Sequence, residues 1–347
     1  MGKTISYLLL LAILGAGVYY FVFSDRDIFS KSEAAFTVKD TSALGKIFLA
    51  KTSGENITLQ RTDSGWIVNG KYKARKGTLD NLLRTLKLQQ PLYPVAENLH
   101  NSVIKTLAGS SIKVELYDRD GDKINTFYVG GSAYNFSGTY MLQEGASRPY
   151  VVQIPNFHGF LTPNYATDFD DWRDRSVINL QPEEVKSFSI QYISEPLNSF
   201  TIDYSSEKPK VNIDPSLTFG KPLNERRAKV YQKYFTDIYA EGYLNGVPEI
   251  DSTIASVPKF CIMEVEAKNG WKQRIEIFKM PLNKRSKNLA SADEGDYDID
   301  RFYGVINNSK DTVLLQAFTF DKFFRRAYEF YEEDQTTEMM GLPQNKK

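Results

Sequence analysis

The sequence predicts an α+β protein: an N-terminal transmembrane helix, then two tandem duplicated domains, each a mostly antiparallel sheet with its helices on one face. Three observations predict it. Residues 5–23 form an uncharged apolar run of 19 residues, close to the ~20 a helix needs to span a bilayer. Residues 46–165 and 186–334 then pass through the same order of patterns: short alternating runs, an amphipathic helix, a tight hairpin, two more strands and an aromatic-rich end. Finally, matching residues recur at constant offsets. Gly270 follows Gly121 by 149 positions, and Tyr303, Gln316, Phe320 and Phe323 follow Tyr140, Gln153, Phe157 and Phe160 by 163. A spacing this long means tandem domains rather than a solenoid of small repeats.

Residues 1–24 read as an uncleaved signal-anchor. The apolar run ends in Tyr19, Tyr20, Phe21 and Phe23, large aromatics that suit a membrane interface and not a small-residue cleavage site. Lys3 precedes the run and Asp25 follows it, so the positive-inside rule keeps the N-terminus in the cytoplasm and sends the rest outside. The expected location is the inner membrane, single-pass, with the bulk of the chain in the periplasm. Residues 25–45 read as a juxtamembrane linker.

In the first repeat (46–165), residues 46–50 and 56–61 alternate as strands, and 66–70 form a third that ends in a turn. Thr78 caps a helix whose Leu79, Leu82, Leu83 and Leu86 share one face. Pro91 and Pro94 are expected to stop it. A short helix at 101–107 follows. Strands at 112–117 and 123–129 flank Asp118, Arg119, Asp120, Gly121 and Asp122, with the Asp-Gly chemistry of a hairpin turn. Strands at 139–142 and 150–154 close the repeat. Residues 166–185 are a charged connector, with Trp172 expected to wedge between the domains.

The second repeat (186–334) opens with strands at 187–192, 199–204 and 210–213. A longer helix is expected over 223–241, with Tyr231, Tyr234, Phe235 and Ile238 on one face and Gly242 at its end. The hairpin 260–267/272–278 turns at Asn269 and Gly270. Residues 282–300 are an inserted polar loop, 320–333 an amphipathic helix, and 335–347 a flexible tail.

Lysine plus arginine balances aspartate plus glutamate at 43 each, so no global field draws in nucleic acid. The single cysteine, Cys261, cannot form an internal disulfide or a structural zinc site. His100 and His158 are the only histidines, and neither sits in a recognisable triad or ligand spacing. Cys261 lies in an apolar run that reads as a buried strand. Starting from Asp296, the acidic stretch 293–300 fails the EF-hand template, with Arg301 at position six and Asn307 at position twelve. Loop aromatics Tyr134, Phe136, Tyr165 and Phe169 are the best hint of a binding surface. The residues therefore assign no catalytic, cofactor-binding or metal-binding position.

Residues 36–42 leading into Ile47, Phe48, Leu49 and Ala50 resemble the Bacteroidetes membrane-anchored family with domain of unknown function 4340. So do residues 66–75, residues 82–87, and Asp171, Trp172, Arg173, Asp174 and Arg175. That family has no assigned reaction or functional residues. Its relation to the accessory subunit of the gliding-motility ABC transporter implies an ABC-type permease complex as partner. The expected function is a non-catalytic, membrane-tethered periplasmic accessory or scaffold subunit. The alternatives are a ligand-binding module that uses the cleft between the repeats, and an envelope enzyme acting on glycan or peptide.

Overall fold

The computed structural model describes residues 33–287, 296–306 and 311–332. The expected anchor at 1–24, the expected tail at 335–347 and the acidic residues 293–295 lie outside these. Among the described residues no helix is long and apolar enough to cross a membrane. The chain divides into two compact units between Asp174 and Arg175, each with its own large, mostly antiparallel sheet.

In the first unit the elements are β1 (Leu44–Lys51), β2 (Asn56–Thr62), β3 (Gly65–Val68), β4 (Tyr72–Lys73), α1 (Lys76–Leu88), β5 (Gln90–Pro94), α2 (Glu97–Ser110), β6 (Ile112–Asp118), β7 (Lys123–Ser132), β8 (Thr139–Gln143), β9 (Tyr150–Gln153) and α3 (Phe169–Trp172). The strands pair in the order β4-β3-β2-β1-β6-β7-β8-β9-β5. The second unit holds β10 (Ser176–Ile178), β11 (Val185–Tyr192), β12 (Phe200–Asp203), β13 (Lys210–Asn212), α4 (Glu225–Tyr231), β14 (Ile238–Tyr239), β15 (Gly242–Tyr243), α5 (Ile250–Ser256), β16 (Lys259–Ala267), β17 (Lys272–Pro281), β18 (Tyr297–Ile306), β19 (Asp311–Gln316) and α6 (Ala317–Phe320). Its large sheet runs β13-β12-β11-β16-β17-β18-β19-β15. From β3 to β5 and from β13 to β15 the two orders correspond strand for strand.

Alternation decides which face of each sheet is dry. In the first unit Ile47, Leu49, Val114, Leu116, Phe127, Met141 and Val152 point one way, against Leu79, Leu82 and Leu86 of α1. Burying each such leucine stabilises the fold by about 1.5–3 kcal/mol. The helices do not all lie on this face, as the sequence led us to expect. Val103 and Leu107 of α2 pack with Val151, Tyr140 and Leu142 on the opposite side. Gly130 makes room there, since a Cβ at that position would lie 2.5 Å from Leu107 Cδ2.

Residues 34–38 belong to the first core rather than to a linker. Phe36 is fully buried against Phe127 and Tyr150, and its carbonyl accepts from Gln89 Nε2 at 2.6 Å. Trp172 is likewise buried in the first core, donating to the Ala166 carbonyl at 2.7 Å. Pro91 and Pro94 sit in β5, a sheet edge, where a missing N–H leaves no ladder bond unmade.

The expected helix over 223–241 is broken. α4 ends at Tyr231, a 3₁₀ turn covers Gln232–Phe235, and Ile238–Tyr239 is a strand paired with β10. The Phe235 carbonyl, which would accept from Tyr239 in a continuous helix, accepts from Leu180 N–H at 3.0 Å. Thr236 Oγ1 donates to the Leu180 carbonyl at 2.9 Å. The expected helix over 320–333 is also a run of short turns. Tyr231 donates to the Phe323 carbonyl and Tyr192 to the Arg325 carbonyl, each at 2.8 Å. Buried tyrosine hydroxyls need acceptors, and these are carbonyls released from helical pairing. Residues 297–300 begin β18 instead of ending a loop.

Candidate interaction surface

Two turns and an edge strand of the first unit come together at one exposed place. The β7–β8 connection is a tight turn in which Ala133 N–H donates to the Gly138 carbonyl and Phe136 N–H to the Ala133 carbonyl. Ser137 Oγ donates to the Tyr134 carbonyl at 2.9 Å and lies 3.3 Å from the Tyr93 hydroxyl of β5. Gly138 has φ +155°, and a Cβ there would lie 2.6 Å from the Val152 carbonyl oxygen, so the turn can press onto β9 only as glycine.

After β9 the chain turns at Asn156 (φ +61°) and Gly159 (φ +146°). It is then pinned by Leu161 N–H donating to Thr139 Oγ1 and by Thr162 Oγ1 donating to the Gly130 carbonyl. Out of this framework project Tyr134, 80% exposed, Phe136, 66%, Phe157, 46%, and Phe160, 37%. The rings of Phe136 and Phe160 lie 6.3 Å apart. The 163-residue offset pairs Phe157 and Phe160 with Phe320 and Phe323, which are fully buried in the second core. Exposure of these rings is therefore particular to the first unit.

The four loop aromatics singled out from sequence separate cleanly. Tyr134 and Phe136 are on this surface. Tyr165 is completely buried and donates to Gln89 Oε1 at 2.5 Å; burial pushes its hydroxyl far above the ordinary range. Phe169 packs on the Tyr72 ring at 5.3 Å, with the Arg173 guanidinium 4.2 Å from the same ring. Phe157, Phe160 and Tyr93 join the surface through folding, since only β5 pairing brings Tyr93 beside residue 137.

The candidate chemical groups are not brought together. His158 stands exposed on the turn after β9 and His100 half-buried on α2. Neither imidazole makes a hydrogen bond or ion pair among the described residues. Cys261 is buried in β16, where burial raises its thiol well above the ordinary value. Asp118 accepts from the N–H groups of Asp120 and Asp122 as a hairpin turn does. Asp298 is buried and paired with Arg285 at 2.6 Å, with Asp300 on the same guanidinium at 3.2 Å. No cluster of metal-ligating side chains occurs among the described residues.

A second concave feature lies on the α2 side of the first sheet. It is a groove of about 480 Å³ whose floor includes Ala50, Tyr128 and Leu142 and whose wall includes Ile104, Leu107 and Ala108. Lys113 also lines it, its ammonium 2.8 Å from the Glu115 carboxylate. The corresponding face of the second sheet carries a cross-strand charge ladder instead. Glu266 pairs with Lys186 and Lys272, Arg274 bridges Glu264 and Glu276, and Lys259 also holds Glu276. No family model, curated protein or solved structure matches this chain.

Proposed function

We propose that this chain is a non-catalytic, membrane-tethered subunit of an envelope complex, built from two copies of one domain, with the first copy presenting the docking surface. The observation that carries the reading is the set of four projecting aromatics on hydrogen-bonded turns of the first unit. Rings held out in water on hydrogen-bonded turns gain when a partner covers them, and aromatics are enriched at interface centres. The duplication is supported by the matching strand orders. Tethering to the inner membrane and a periplasmic location rest on the sequence alone, and an ABC-type permease as partner rests on the family resemblance alone.

The test is gentle detergent extraction of the full chain from its native membrane, followed by mass spectrometry of what stays bound. Stoichiometric recovery of a permease and its ATPase is the expected outcome. Recovery of the chain by itself, under conditions that preserve other envelope complexes, counts against it. A second reading, a ligand-binding module, is favoured by the apolar groove beneath α2. It predicts that Leu142→Trp, which fills the groove, abolishes binding of an apolar fluorescent probe and leaves co-extraction intact.

A further inference from the structure

We infer that Phe136 is the anchor of the docking surface, and that its partner is an uncharged apolar cleft on another polypeptide. This rests on the subunit reading above and adds the residue and the chemistry of what it meets. Phe136 has φ +55°, a left-handed conformation that costs a residue bearing a Cβ about 1–2 kcal/mol. Glycine would sit there without strain. The ring is two-thirds exposed, so packing within the unit does not explain why a phenylalanine occupies the position. Strain and exposure also coincide at Phe219 of the second unit (φ +51°, 70% exposed), between Asp214 and Lys221, so it is the uncharged surroundings that single out Phe136.

The surroundings define what it meets. The segments that build the surface, 88–96, 124–143 and 149–167, contain no Asp, Glu, Lys or Arg in a chain that is 25% charged. Charge depletion around aromatics is the composition of the centre of a protein–protein interface. A bilayer is the other apolar surface to weigh. Peripheral insertion into anionic lipid pairs aromatic tips with lysine and arginine, and these segments supply neither. A charged partner surface would be desolvated here without a counter-charge. The projecting shape of the turn calls for a concave partner.

The test places a photo-crosslinking amino acid at position 134 of the full chain in its native membrane, with position 271 on the β16–β17 hairpin as control. Adducts to one polypeptide of different sequence, from 134 and not from 271, are expected. Phe136→Gly should cut their yield at least ~10-fold, the scale of an interface anchor, while Tm is unchanged or raised. Adducts to lipid would place the surface on the membrane and overturn the inference; adducts to a second copy, or none, also overturn it. If a co-extracted partner survives Phe136→Gly combined with Tyr134→Ser, this surface is wrong and the subunit reading stands. If the wild-type chain brings down no partner and forms no polypeptide adduct, both fall.

Discussion

Gly138 and Gln89 show how single positions hold the first unit together. A methyl at 138 would need both a strained φ and the displacement of the Val152 carbonyl. Gly138→Ala should therefore destabilise the first unit by about 1–3 kcal/mol, read as a lower midpoint in urea. Gln89 is fully buried and spends both ends of its amide, donating to the Phe36 carbonyl and accepting from Tyr165. Tyr165→Phe leaves Gln89 Oε1 dry and unpaired, which should cost about 1–3 kcal/mol in the same measurement. Gln89 did not stand out in the sequence and Tyr165 did so only as a loop aromatic, because residues 76 positions apart meet only in the folded chain.

The elements answered unevenly to their patterns. β6, β7, β16 and β17 lie where alternation and Asp-Gly or Asn-Gly turns put them. α1 follows its helical spacing but begins at Lys76, so that Thr78, the expected cap, lies inside it and donates to the Asp171 carbonyl instead. The helix expected over 223–241 has the right periodicity and still breaks, because β10 and Leu180 just after it take the backbone groups a helix would use. The ladder across β11, β16 and β17 carries a prediction of its own. Hydrogen bonding from Lys259, then Arg274, holds the Glu276 carboxyl below its ordinary 4.5. A depressed carboxyl contributes stability above its unfolded value and loses it as pH falls through the folded value. Glu276→Gln should therefore lower stability by about 0.2–1 kcal/mol at neutral pH. The gap from wild type should close below about pH 4.5, as followed by thermal melts across pH 3–7.

Each unit closes its own core: Leu82 lies at the centre of the first and Phe188 at the centre of the second. Phe188 contacts the rings of Phe200, Tyr231, Phe235 and Phe323. Removing either side chain leaves a cavity that its surroundings fill only in part. Leu82→Ala should cost about 2–5 kcal/mol and Phe188→Ala about 3–5 kcal/mol. With separate cores, calorimetry of the full chain should show each substitution lowering a different transition. A single transition lowered equally by both would mean that the units unfold as one.

Much of the architecture was readable along the chain. Two units, antiparallel sheets, the hairpins and the apolar stripe of α1 follow from side-chain periods and turn chemistry, which act over a few residues. The place of α2 on the far face, of Phe36 and Trp172 in the first core, and of Pro91 and Pro94 in an edge strand was decided by packing between distant segments. The candidate surface divides the same way. Tyr134 and Phe136 were visible as aromatics in a glycine-containing loop. Phe157 and Phe160 are exposed while their counterparts Phe320 and Phe323 are buried, and no local pattern separates them. Which ring faces water depends on what the rest of the fold leaves room to cover.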